Sequence, residues 1–282
     1  MGKLIDKGKR RLNKMLTPFG IQIAKSDRVN SAIAQAKKFT QLMEITESPE
    51  LSDQAKVQMC NYLPHSFSQL NQDLLALIIN NETQNKYFVE FGAAGGKIGS
   101  NTYLLESEHS WSGIVAEPAR SYKPELLETR KCEIDFRCVY SHSGIFLDFL
   151  ECQTKMLSTI SGFEKSDTLA ADRKVKSVYS VETVSLIDLL DQYKAPDTIG
   201  YISIDTEGSE FIILENFDFG RYTFNFMSIE HNSPDQDLKI ENLLQPLGYV
   251  RILRNMSRFD SWYVSSRMNM RGILNNWTTS NE

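Results

Sequence analysis

The chain has 282 residues, 41% of them hydrophobic and 24% charged, with a formal net charge of -5. That length holds one large α/β domain with an appendage, or two small domains, and the acidic balance excludes a general nucleic-acid binder, which needs a basic footprint. No apolar run approaches the roughly 20 residues that span a bilayer, and no signal peptide is visible.

Residues 1–85 read as an N-terminal helical extension, since they lack strand alternation. Leu4, Ile5, Leu12, Met15, Leu16 and Phe19 recur at helical spacing among Lys3, Lys7, Lys9, Arg10, Arg11 and Lys14. A basic amphipathic helix of this kind permits peripheral docking on an anionic membrane or a glycan-assembly machinery. Packing on the protein's own body, or a homo-oligomer contact, serves the same face equally well. A second helix is expected over Ser31 to Ile45, a third opening at Ser48-Pro49, and a fourth over Ser68 to Asn80 that delivers the chain to the first strand.

From residue 86 short apolar strands alternate with helical stretches, the pattern of βαβ units in a parallel sheet. The expected strands are Tyr87–Phe91, Gly113–Ala116, Phe136–Tyr140, Tyr201–Ile204, Phe226–Ile229, Tyr249–Leu253 and Trp262–Val264. The polar stretch between Asp148 and Thr183 shows no clear period and reads as an irregular functional segment such as a lid, or as partly disordered, with Leu157 to Ser161 placed to cover an acceptor. Residues 86–267 form the expected catalytic domain and 268–282 a tail. The cysteines Cys60, Cys132, Cys138 and Cys152 sit at no metal-ligand spacing, so free thiols in a reducing, cytoplasmic compartment are expected.

Four strand ends carry the chemistry. Tyr87-Phe88-Val89-Glu90-Phe91-Gly92-Ala93-Ala94-Gly95-Gly96 is a buried strand running into a glycine turn. It lacks the second glycine of the dinucleotide fingerprint and the Ser or Thr of a Walker loop. What remains, an acid followed by Gly92 and Gly95, is the form used by S-adenosylmethionine enzymes. The turn lets the sheet edge approach the cofactor, and Glu90 helps hold its ammonium group. Trp111-Ser112-Gly113-Ile114-Val115-Ala116-Glu117-Pro118 ends in a carboxylate placed to accept both ribose hydroxyls. Tyr201-Ile202-Ser203-Ile204-Asp205-Thr206-Glu207-Gly208-Ser209-Glu210 and Met227-Ser228-Ile229-Glu230-His231-Asn232 bring Asp205, Glu230 and His231 toward one point. His231 has a working-pH pKa suited to a general base. Equally, Asp205, Glu230 and His231 are an oxygen- and nitrogen-rich set for Mg²⁺ or Mn²⁺, or His231 is structural. His142, with Tyr140 and Ser141 beside it, follows the third strand where an adenine ring would lie.

Together these segments, with Ser100-Asn101-Thr102, resemble the FkbM family of S-adenosylmethionine-dependent methyltransferases over roughly Lys86 to Val264. Members often carry Asp where this chain has Gly95. The resemblance implies a class I, Rossmann-like, doubly wound seven-stranded sheet, mostly parallel with an antiparallel last strand. It implies S-adenosyl-L-methionine held by Glu90, Gly92, Ala93, Gly95, Asn101, Glu117, Ser141 and Asp205. It further implies O-methyl transfer to a hydroxyl of a sugar, surface polysaccharide or related small molecule. The acidic pair after Asp205 also resembles metal-dependent sugar O-methyltransferases, except that His231 stands where an acid is usual. A catalytically inactive fold relative that binds a nucleotide or glycan is the alternative. Nicotinamide chemistry is disfavoured by the missing glycine and by the absence of a Tyr-x-x-x-Lys couple.

Overall fold

The computed structural model describes residues 26–81, 83–164 and 170–277. The basic helix expected before residue 20 lies outside them. Two compact units divide the chain, one ending at Met43 and the other running from Glu44 onward.

Helix α1 (Ser26–Glu47) is longer at both ends than its apolar period indicates. Helix α2 (Asp53–Tyr62) is opened by Ser52 rather than by Ser48-Pro49, the Ser52 hydroxyl accepting from the Ala55 amide at 3.1 Å. Helix α3 (Gln72–Ile79) starts four residues later than expected. The reason is Asp73, which is fully buried and binds Ser66, Ser68 and the Phe67 amide, so that these residues form a loop instead. Both helices belong to the second unit: Gln72 donates to Asp260 at 2.8 Å, and Asn80 to the Gly200 carbonyl at 3.1 Å. Leu274, in the segment expected as a tail, is bridged to Leu51.

The main sheet has seven strands: β1 (Tyr87–Phe91), β2 (Ser112–Ala116), β3 (Glu133–Asp135), β8 (Thr198–Ile204), β9 (Thr223–Glu230), β10 (Tyr249–Ile252) and β11 (Asp260–Ser265). Their order is β10-β11-β9-β8-β1-β2-β3, and β11 alone runs antiparallel to its neighbours. The parallel strands are buried on both faces, hence their unbroken apolar runs. Helices α4 (Tyr103–His109), α5 (Lys123–Thr129), α6 (Leu186–Gln192), α7 (Glu210–Glu215) and α8 (Pro234–Leu244) connect them, and a short α9 (Arg254–Ser257) precedes the last strand.

Two expectations need correction. Phe136–Tyr140 is not one strand: the chain leaves the main sheet after β3 and begins β4 (Cys138–Tyr140) in a second sheet. Nor is the stretch after Asp148 irregular. It carries β5 (Phe146–Cys152), β6 (Thr159–Ile160) and β7 (Val175–Ser185), and the second sheet has the order β4-β7-β5-β6. Its period is obscured because the first four residues of β7, Val175 and Val178 among them, are exposed whatever their parity, and burial alternates only from Tyr179 to Thr183.

Candidate active site

The carboxyl ends of β1, β2, β8 and β9 open into a cavity of about 470 Å³, whose roof is formed by residues 154–158, which join β5 to β6, and by Ile160 of β6. Open α/β sheets bind ligands at this edge. Of the residues singled out in the sequence, Glu90, Gly92, Ala93, Asn101, Glu117, Asp205, Glu230 and His231 all line it, and so do Leu157, Ser158 and Ile160.

Gly92 has φ +74°, and a Cβ there would sit 1.9 Å from the Asp205 carbonyl oxygen. Only a glycine lets the first turn pass that close to β8. Glu90 is 2% exposed, and its oxygens accept from Ser100 Oγ (2.8 Å), Thr102 Oγ1 (2.6 Å), the Asn101 amide (2.6 Å) and Arg130 Nη1 (3.2 Å). Its first task is therefore to hold the loop after the glycine turn. Arg130 is itself enclosed, and also bonds Glu106, Thr102 and the Gly96 carbonyl. Asn101, positioned by that loop, donates to Ser203 at 2.9 Å and leaves its Oδ1 buried without a partner.

Glu117 accepts one backbone N–H on each oxygen, from Ala119 at 2.8 Å and Ala94 at 3.0 Å. The remaining lone pairs are available to a diol. Burial pushes its carboxyl up to about 7, against the pull of those two amides.

Gly95 does not line the cavity. A Cβ there would lie 2.4 Å from the carboxyl carbon of Glu125, so a side chain at this position requires the exposed Glu125 side chain to move aside. Ser141 is not a lining residue either. The chain turns away after β4, leaving His142 exposed, and it is Cys138, Val139 and Phe149 of the second sheet that line the cavity.

At the other end Asp205, Glu207 and Glu230 each place a carboxylate oxygen within 4.8 Å of the others. Burial drives the Asp205 and Glu230 carboxyls well above their ordinary values, and mutual repulsion among these acids adds to it. At this separation ionising one carboxyl opposes ionising the other. Here too the sequence reading is corrected: Asp205, Glu230 and His231 are not one metal-donor set. The three acids that converge are Asp205, Glu207 and Glu230, while the His231 ring lies toward the Arg258 and Asp260 backbone, which favours its protonated form. Its Nε2 is buried without a partner, as are Glu230 Oε2 and Asn232 Nδ2. Burial lowers the His231 pKa below 6.5, opposed by the nearby Asp237 charge. Four orphaned polar atoms, counting Asn101 Oδ1, thus belong to lining residues of one cavity. Buried polar groups ordinarily have partners, so this concentration marks a place built to receive a ligand.

Glu207 was named in the sequence only as part of its strand end, and Arg173 not at all. Glu207 has φ +60°, and Arg173 Nη2 binds its Oε2 at 2.6 Å.

The sheet order and this edge define a Rossmann-like protein of the class I methyltransferase type. The methyltransferase FkbM domain matches residues 90–251, and the chain belongs to that family of S-adenosylmethionine-dependent methyltransferases. No curated protein matches it. Among solved structures, the precorrin-6y C5,15-methyltransferase of Geobacter metallireducens is similar at 10% identity and TM-score 0.36, covering 68% of this chain and 85% of that one. An O-methyltransferase from Bacillus cereus in complex with SAH matches at 12% identity and TM-score 0.35, covering 90% and 97%. The N-terminal domain of human METTL16 matches at 12% identity and TM-score 0.38, covering 76% and 82%. At these scores the three structures carry no argument about this chain. Among the described residues no helix is long and apolar enough to cross a membrane.

Proposed function

We propose that the protein is an O-methyltransferase acting on a hydroxyl of a sugar, surface polysaccharide or related metabolite, and that it works in the cytoplasm. The observation that supports this most directly is His231. The residue lines the cavity, and its Nε2 is buried without a hydrogen-bond partner. With its pKa below 6.5 the imidazole is neutral at pH 7, so the free nitrogen is an acceptor ready for a proton.

The lining fits S-adenosylmethionine. The close-packed turn at Gly92 and Ala93 leaves room for the methionine part, with Asn101 Oδ1 and Glu90 beside it. Glu117 takes the ribose hydroxyls. The acidic edge at Asp205 and Glu230 favours positive charge. Once bound, the cofactor supplies an electrophilic methyl group. The residues supply alignment of the acceptor oxygen, which accounts for much of the rate in an in-line displacement, and removal of its proton to His231 Nε2. Asp237 then favours the imidazolium. Mg²⁺ or Mn²⁺ at Asp205 and Glu230 is a second route to the same end, and is taken up in the next section.

His231→Ala is expected to lower turnover by about 10²-fold or more while leaving the cofactor dissociation constant unchanged. Unchanged turnover would make His231 structural. Calorimetry with S-adenosylmethionine, S-adenosylhomocysteine and NAD separates the enzyme from an inactive nucleotide- or glycan-binding relative. Binding of neither sulfur ligand would end the methyltransferase reading for this chain. A membrane or glycan-assembly contact through the N-terminal basic segment, and a homo-oligomer, remain proposals for its partners.

A further inference from the structure

The acidic edge of the cavity is crossed by an arginine from the roof. Arg173 precedes β7, and its side chain is 2% exposed. Nη2 binds Glu207 Oε2 at 2.6 Å, Nε donates to the Leu157 carbonyl at 3.1 Å, and Nη1 to the Glu164 carbonyl at 3.2 Å. Thr159, also from the roof, donates to the Glu207 carbonyl at 3.0 Å. Glu207 itself sits in the left-handed region at φ +60°, a strained conformation that a non-glycine residue keeps only when its surroundings fix it. These roof contacts provide that fixation.

Glu207 is also one of the three acids whose oxygens converge within 4.8 Å, and Glu230 Oε2 in the same group is buried without a partner. Three carboxylates at that separation, offering oxygen alone, are the donor chemistry of a hard divalent cation. A guanidinium, however, already engages one of them in two dimensions at once: it neutralises Glu207 and ties it to the roof.

We propose that Arg173 is a positioning residue that takes the cation's place in this carboxylate group. By holding Glu207 it keeps the transfer edge in shape and leaves Asp205 and Glu230 as the members that face the reacting groups. The native protein then holds divalent cations weakly, and its methyl transfer relies on proton acceptance rather than on a metal. The roof thereby contributes a charge to the active edge as well as a cover.

The test is Mn²⁺ titration of the full chain followed by electron paramagnetic resonance, with S-adenosylmethionine calorimetry as a separate readout. Arg173→Gln is expected to bind Mn²⁺ about 10-fold or more tightly than the native chain, because the half-buried Glu207 carboxylate loses its compensating charge. Arg173→Lys is expected to stay close to native, and Arg173→Gln with Glu207→Gln to lose the gain. An Arg173→Gln chain that binds no more Mn²⁺ than native overturns the proposal. Because the arginine variant removes roof contacts, Glu207→Gln alone provides an independent arm. It should leave native Mn²⁺ binding unchanged, and a 10-fold loss would show that Glu207 already serves as a ligand, which overturns the proposal as well. The proposal rests on reading this edge as the site of transfer, yet the two fail differently: absent cofactor binding removes the methyltransferase reading, whereas the Mn²⁺ pattern decides the role of Arg173.

Discussion

The two ends of the cavity handle buried carboxylates in opposite ways. At the cofactor end Glu90 and Glu117 are supplied with donors by their own neighbourhood: hydroxyls and Arg130 for the first, two backbone amides for the second. At the transfer end Asp205 and Glu230 face each other, and atoms are left without partners. The first arrangement is a prebuilt cradle whose geometry is fixed before a ligand arrives. The second stores unfavourable electrostatics that a bound cation or a moving proton relieves, which is the usual physical mark of a reacting site.

Breaking the cradle should cost stability most. Arg130→Met strips Glu90 and Glu106 of their buried partner, and is expected to destabilise the fold by about 3–5 kcal/mol in urea denaturation. Cofactor affinity should fall with it. A loss under about 1 kcal/mol would show that the network is dispensable.

The next effect depends on pH. Glu117 has a folded-state pKa raised to about 7, above its unfolded value, so the unfolded chain gives up this proton first. The ligand-free protein is therefore expected to lose stability as pH rises from about 4.5 to about 7, by roughly 3 kcal/mol from this group. Cofactor affinity should move the other way, weakening as pH falls through about 7, because the ionised carboxylate is the better ribose acceptor. Glu117→Gln should flatten both dependences. Thermal denaturation and cofactor titration across pH 5 to 9 measure them, and a native cofactor affinity that does not vary with pH would remove Glu117 from the ribose role.

The smallest expected change in stability lies at the transfer end, and its sign is reversed. Glu230→Gln retains a donor toward Asp205 while removing one acid, so the ligand-free fold should gain about 1 kcal/mol at pH 7 and above while turnover falls. A variant that is both less stable and fully active would show that the pair is not under strain.

Legibility in the sequence followed chain locality. The main strands, and Glu90, Glu117, Asp205, Glu230 and His231 at their ends, were readable because each strand announces its own burial and ends in its own polar residue. Arg130 and Arg173 were not, since each acts on a carboxylate 40 or 34 residues away, a distance that leaves no local period. The roof sheet is hard to read because Phe146, Val175 and Val178 are apolar yet exposed, so apolarity does not track burial along its strands. Ser141 was misplaced because the break between β3 and β4 carries the chain away after Tyr140. The expected metal set failed for a related reason: adjacency of Glu230 and His231 in sequence says nothing about backbone acceptors on the Arg258 to Asp260 turn.

That break after β3 has a thermodynamic consequence. Cys138 and Val139 belong to the roof sheet, while Gly92 and Glu117 directly follow β1 and β2 of the main one, so a ligand touching all four is a fastener between two hydrogen-bonded layers. Reciprocity then applies: whatever free energy occupancy adds to the seating of one layer on the other, firmer seating returns to occupancy in equal measure.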